Sequence, residues 1–125
     1  MTPKTTLLAS GAALMALAPA QAPAAPAPDG AALFRMRCQS CHSVSPGPVS
    51  VLAPNLAGVV GRRAASTPFR YSDALKKSGL TWTRANIDRY LSGPMQMVPG
   101  TRMVIKVSNP AERAAIIEFL ARTRH

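Results

Sequence analysis

Cys38-Gln39-Ser40-Cys41-His42 is the stretch that decides how the rest of the chain is read. It has the C-x-x-C-H form of a covalent c-type haem attachment site. On a helical turn residues i and i+3 project side by side, so two thiols can add to the two vinyl groups along one edge of a porphyrin. The imidazole of the next residue then reaches the iron. Three other readings use the same residues. A zinc site needs four ligands, and the chain offers two cysteines and two histidines, with His125 at its extreme end. A dithiol redox motif wants a βαβ surrounding, which the pattern of this chain lacks. A bare structural disulfide is the third.

A haem also needs a sixth ligand or an open site, and methionine is the soft, weakly basic candidate. Of six methionines, Met1 and Met15 fall in the N-terminal segment, and Met36 precedes the cysteines on the same expected helix. Met95, Met97 and Met103 remain. Met103 is preferred, because Pro99-Gly100 ahead of it turns the chain and can aim the thioether back across the porphyrin.

Outward from these residues, the composition sets the frame. With 125 residues the chain makes one domain. Aromatic residues are only 5%, so the centre of so small a domain calls for a large cofactor as filling. The net charge of +10 points to acidic partners; no base-reading or stacking motif accompanies it, which argues against nucleic acid.

Lys4 and the apolar run from Leu7 to Ala18, followed by small-residue sites at Ala18-Pro19-Ala20 and Ala20-Gln21-Ala22, read as a secretory signal over residues 1–20. Cleavage is expected between residues 20 and 27. The run is shorter than the ~20 residues that cross a bilayer. Residues 21–28 are an Ala/Pro-rich linker, and residues 29–125 the folded domain. Export supports the haem reading, because this type of attachment follows translocation, and it places the mature protein in an oxidising compartment, the periplasm in a bacterium.

From Asp29 onward the pattern is all-α: four to five short helices joined by long loops rich in Pro and Gly. A first helix is expected from the Asp29 cap through His42. Residues 43–66 carry Pro46, Pro48, Pro54 and three glycines, a loop long enough to wrap a ligand. Ser72 to Ser78 and Thr83 to Ser92 read as helices, the second with Ile87, Tyr90 and Leu91 inward and ended by Gly93-Pro94. Asn109 caps the last helix, with Pro110 at its first position and Glu112 completing a capping-box-like start. Ile116, Ile117, Phe119 and Leu120 form its apolar stripe.

Taken in order, these motifs resemble the mitochondrial-type class I cytochromes c and their bacterial monohaem relatives, over Asp29 to Arg122. Gly30, Phe34 and Cys38 to His42 match the first helix; Pro54-Asn55-Leu56, Gly58 and Gly61-Arg62 match the loop after the haem site; Pro94 to Met103 repeats the ligand loop. The resemblance implies one haem c per chain, bound through Cys38 and Cys41, with His42 and Met103 on the iron. It implies that the Pro54 carbonyl orients His42. Arg62, Tyr71 and Trp82 fall where relatives meet the haem propionates, and Tyr90 and Thr101 where relatives build a hydrogen-bond net beside the methionine.

Some positions depart from the pattern. Met95-Gln96 replaces a common lysine pair, Ile105 replaces a phenylalanine, Leu75 replaces a polar residue, and the stretch after Met103 is one residue shorter.

With both axial positions filled, the chemistry left is one-electron transfer rather than catalysis. The expected protein is a soluble, monomeric, periplasmic carrier. It takes electrons from a cytochrome bc-type complex or periplasmic dehydrogenase and passes them to a terminal oxidase or reaction centre, with Arg37, Arg102 and Lys106 steering it to acidic faces. The alternatives are a dedicated cytochrome subunit of a periplasmic dehydrogenase, and a peroxidase-like enzyme in which Met103 dissociates.

Overall fold

The computed structural model describes residues 1, 3, 11 and 13–124. Lys4 and residues 7–10 of the expected signal lie outside the described residues, while residues 13–29 are exposed and outside any helix.

Five helices follow: α1 (Gly30–Arg37), α2 (Asp73–Lys77), α3 (Arg84–Ser92), α4 (Pro94–Met97) and α5 (Pro110–Arg122). Among the described residues there is no strand, only an isolated antiparallel bridge between Arg63 and Thr81. Four helix starts have the side-chain caps that free N–H groups require. Asp29 accepts from Ala31 N–H, Ser72 from Leu75, Thr83 from Asn86, and Asn109 from Ala111 and Glu112.

Two local expectations are corrected. The first helix does not run through His42; it ends at Arg37. The Phe34 carbonyl accepts from both Cys38 and Gln39 N–H, and Cys38 leaves helical geometry at φ −122°. The Cys38 carbonyl then accepts from both Cys41 (3.1 Å) and His42 (2.9 Å), closing a separate tight turn. At α5, Glu112 sits at the capping-box position, but its carboxylate meets the Arg37 guanidinium of α1 at 2.7 Å. A charged partner on another helix gives that carboxylate a stronger hydrogen bond than a neutral backbone N–H would.

α1 packs on α5, and α3 on both α5 and α4. The α1–α5 crossing is close because Gly30 has no side chain: a Cβ there would overlap the Ala115 carbonyl oxygen and press on Phe119 Cβ. Phe34 and Phe119 meet across the same crossing, ring centroids 5.2 Å apart. Ile116, Ile117 and Leu120 are buried, with Phe119 half-buried at the edge of the stripe. On the other side of the core, Trp82 and Tyr90 pack with centroids 4.9 Å apart, beside Ile87 and Leu91. Between these helices and the long loops the chain leaves a deep cleft.

Candidate functional site: an apolar cleft between two loops

The cleft has a volume of about 430 Å³. Its inner wall is Leu56, Val59, Leu75, Ile87, Leu91, Val107, Ile116 and Leu120, and its rim includes Leu52, Val104 and Ile105. All ten residues singled out from the sequence line it: Cys38, Cys41, His42, Pro54, Arg62, Tyr71, Trp82, Tyr90, Thr101 and Met103.

One wall is built by the tight turn after α1. Both cysteines are free thiols, Cys38 half-buried and Cys41 exposed. Burial pushes the Cys38 thiol up, and the Arg37 charge works against that shift. The His42 ring Nδ1 lies 2.8 Å from the Pro54 carbonyl oxygen. A carbonyl can only accept, so Nδ1 donates and Nε2 keeps its lone pair for a metal. Burial pulls the imidazole below its ordinary pKa, with the Pro54 bond opposing, which further favours the neutral, ligating form. Pro54 itself is held by its neighbours: Asn55 donates to the Ser45 carbonyl (2.8 Å), and its side-chain oxygen accepts from Ala57 N–H (2.8 Å).

The floor carries the polar groups. Arg62 donates to the Ala57 (3.0 Å) and Asn55 (2.9 Å) carbonyls, so its guanidinium braces the loop that holds Pro54. Burial pulls its pKa down, while the nearby Tyr71 opposes. The Tyr71 hydroxyl pairs with Thr67 at 2.5 Å, and Trp82 is pinned through its backbone to Gly61 and Arg62.

A strap after α4 supplies a further part of the lining, Thr101 to Ile105. Gly100, at φ +91°, makes the turn that Pro99-Gly100 suggested. Thr101 follows it, buried, its hydroxyl 2.5 Å from Tyr90. Burial raises the Tyr90 phenol, and the Thr101 bond partly offsets this. Met103 lines the cleft next. The other described methionines do not line it, and Met36 and Met95 are largely exposed at 79% and 55%.

The arrangement fits a haem. An apolar slot lined by two cysteine sulfurs and a lone-pair nitrogen from the turn after α1, and by a thioether from the strap, supplies its donor set. Among the described residues no three His, Cys, Asp or Glu side chains gather to hold a metal unaided.

Sequence reasoning named Arg62 for the haem carboxylates but missed that it and Asn55 brace the loop that holds Pro54; the Asn after a Pro in a glycine-flanked loop was the available signal. Arg37, expected as an exposed cation near the cleft, is exposed and lines it, and it also pairs with Glu112, which the sequence did not suggest.

Three comparisons bear on the site. The cytochrome c family model matches residues 27–124. Cytochrome c2 of Rhodomicrobium vannielii is 46% identical over 117 residues, covering 92% of this chain and 91% of the relative. Cytochrome c of Theileria annulata is 40% identical over 92 residues, 73% of this chain and 80% of the relative. The solved structure of cytochrome cH from Methylobacterium extorquens superposes with a TM-score of 0.67 at 39% identity, covering 73% of this chain and 92% of that one.

Proposed function

The chain belongs to the cytochrome c family, as a class I monohaem member built for electron transfer with covalently bound haem c, and from that premise we propose that it is a soluble periplasmic one-electron carrier with His42 and Met103 as axial ligands. The observation that carries the reading is the convergence on one apolar cleft of both cysteines, the Pro54-oriented His42 and a single described methionine.

When bound, the haem supplies a one-electron ferric/ferrous couple. The chain's residues do the rest. Cys38 and Cys41 hold the group from the turn after α1. Pro54 fixes the imidazole tautomer and raises its basicity. The strap presents the Met103 thioether, whose softness favours the ferrous state. The apolar wall excludes water, so a change of charge inside the cleft reorganises little solvent. Arg62, Tyr71 and Trp82 offer donors and a positive charge on the floor, where they are suited to the haem carboxylates.

Electrons enter and leave at the cleft mouth. Arg102 and Lys106 are exposed on the strap, and the described acidic residues are all engaged: Asp29 caps α1, and Asp73, Asp88, Glu112 and Glu118 pair with cations. The loops that frame the cleft, residues 38–56 and 98–107, contain no acid. That surface suits acidic docking faces, on a cytochrome bc-type complex or dehydrogenase as donor and on an oxidase or reaction centre as acceptor.

The test is the visible spectrum of protein expressed with its N-terminal segment and a haem-attachment system. Covalent haem on a denaturing gel, sharp reduced bands and a far-red methionine-to-ferric-iron band are expected. Absence of covalent haem would sink the proposal.

A further inference from the structure

Met103 sits in a strap that is tied down only at its ends. Among the described residues no hydrogen bond joins residues 102–106 to the rest of the chain. One end is Thr101, whose N–H donates to the Val98 carbonyl (3.0 Å) and whose hydroxyl meets Tyr90. The other is Val107, almost fully buried, whose N–H donates to the Leu91 carbonyl at 2.8 Å. Arg113 locks that second end. Its Nη1 donates to the carbonyls of Val107 (3.0 Å) and Ser108 (2.9 Å), and its Nε to Asp88 on α3 (2.7 Å).

The Arg113 side chain is only 12% exposed and its partner Asp88 46%, whereas both members of the Arg84–Glu118 pair that joins the same two helices are exposed. A part-buried guanidinium shared between a carboxylate and two carbonyls holds more strongly than an ion pair solvated at both ends. A planar guanidinium can serve one carboxylate and two carbonyls at once, which an ammonium on a flexible stem cannot do with the same geometry.

We propose that Arg113, aimed by Asp88, is the positioning residue that keeps the Met103 strap closed over the cleft and so sets how readily the sixth iron position opens. The inference rests on the reading of Met103 as an axial ligand. Loss of the clamp leaves the Val107 end held only by its N–H bond to Leu91 and its burial, while Thr101 and Tyr90 still hold the other, so the strap loosens at one end rather than unfolding.

The test compares haem-loaded Arg113→Ala, Asp88→Asn, Arg84→Ala, Ile117→Val and Met103→Ala. The readouts are the far-red ferric band, the rate of imidazole binding to the ferric protein, and the denaturant midpoint. Ile117→Val weakens α5 in the core without touching the strap or the cleft. Arg113→Ala should bind imidazole about tenfold faster than wild type, with a weakened far-red band. Asp88→Asn, the gentler change, should move the same way by less. Arg84→Ala and Ile117→Val should leave rate and band unchanged, even where Ile117→Val lowers the midpoint as much as Asp88→Asn does. Equal imidazole rates for Asp88→Asn and Ile117→Val at similar midpoints would overturn the clamp. A far-red band surviving in Met103→Ala would instead overturn the ligand reading itself.

Discussion

At the scale of single residues, the site works by leaving each donor one option. His42 donates a hydrogen bond from Nδ1 to the Pro54 carbonyl and has only Nε2 to offer. Met103→Ala should therefore leave haem attached through two thioethers while opening one face. Exogenous ligands should bind faster and the potential should fall, whereas Met95→Ala and Met97→Ala, outside the cleft, should change neither. Ligand-binding kinetics and redox titration check this. Tyr90 gives a pH prediction. Its phenol is raised above its ordinary value by burial, so the folded chain keeps a proton that the unfolded chain releases near pH 10. The stability it contributes is full below that pH and declines as pH rises through the folded value. Urea midpoints measured from pH 9 upward should fall more steeply for wild type than for Tyr90→Phe.

At the scale of elements, the tightest constraint is the α1–α5 crossing at Gly30. Gly30→Ala forces a methyl into the Ala115 carbonyl and should cost about 1–3 kcal/mol or more in denaturant titrations, whereas Gly47→Ala, with open space around it, should cost under ~0.5 kcal/mol. The elements that could be read from the sequence were those whose boundaries are local. Asn109-Pro110 opens α5, and Ser72 and Thr83 open α2 and α3, because a capping side chain reaches only two or three residues along the chain. α4 escaped that reading because Gly93-Pro94 stops one helix and starts another, Pro being suited to a first turn. The end of α1 escaped it too: whether the chain stays helical past Arg37 depends on which N–H groups the Phe34 carbonyl accepts, and side-chain spacing does not encode that. In the site, residue types named the donors, and long-range pairs such as Arg37–Glu112 and Arg113–Asp88 stayed hidden because nothing local links 37 to 112.

At the scale of the whole molecule, the cleft is a core with its filling assigned to a cofactor. Side chains leave about 430 Å³ of apolar slot unfilled, so its walls lack the contacts that a packed core would supply until the cofactor is in place. Cys38→Ala with Cys41→Ala should accordingly abolish covalent haem and leave little cooperative unfolding signal by circular dichroism. The charge distribution makes its own prediction. Arg102→Glu should slow electron transfer with an acidic partner at low salt, and the gap should narrow towards ~0.15 M, where the Debye length is about 8 Å. Arg124→Glu is the control, and equal salt slopes for the two in stopped-flow measurements would show that docking lies elsewhere. Arg37 is a poorer probe, since reversing it also breaks the link to Glu112.

Of the five helices, α2 alone packs against no other helix. It is fastened to the molecule through Leu75 in the cleft wall and through the loops around it. The segment from Ser43 to Thr81, which lines the slot from Leu52 to Leu75, thus opens more readily than the packed helices α1, α3 and α5, and its ordering follows occupancy of the slot more closely than theirs does. Trypsin reports this directly. In haem-loaded protein under limited digestion, cuts after Arg63, Arg70, Lys76 and Lys77 should precede cuts after Arg113, and loss of the haem should erase that order, so that the bound group acts as a protease shield for the segment that lines its slot.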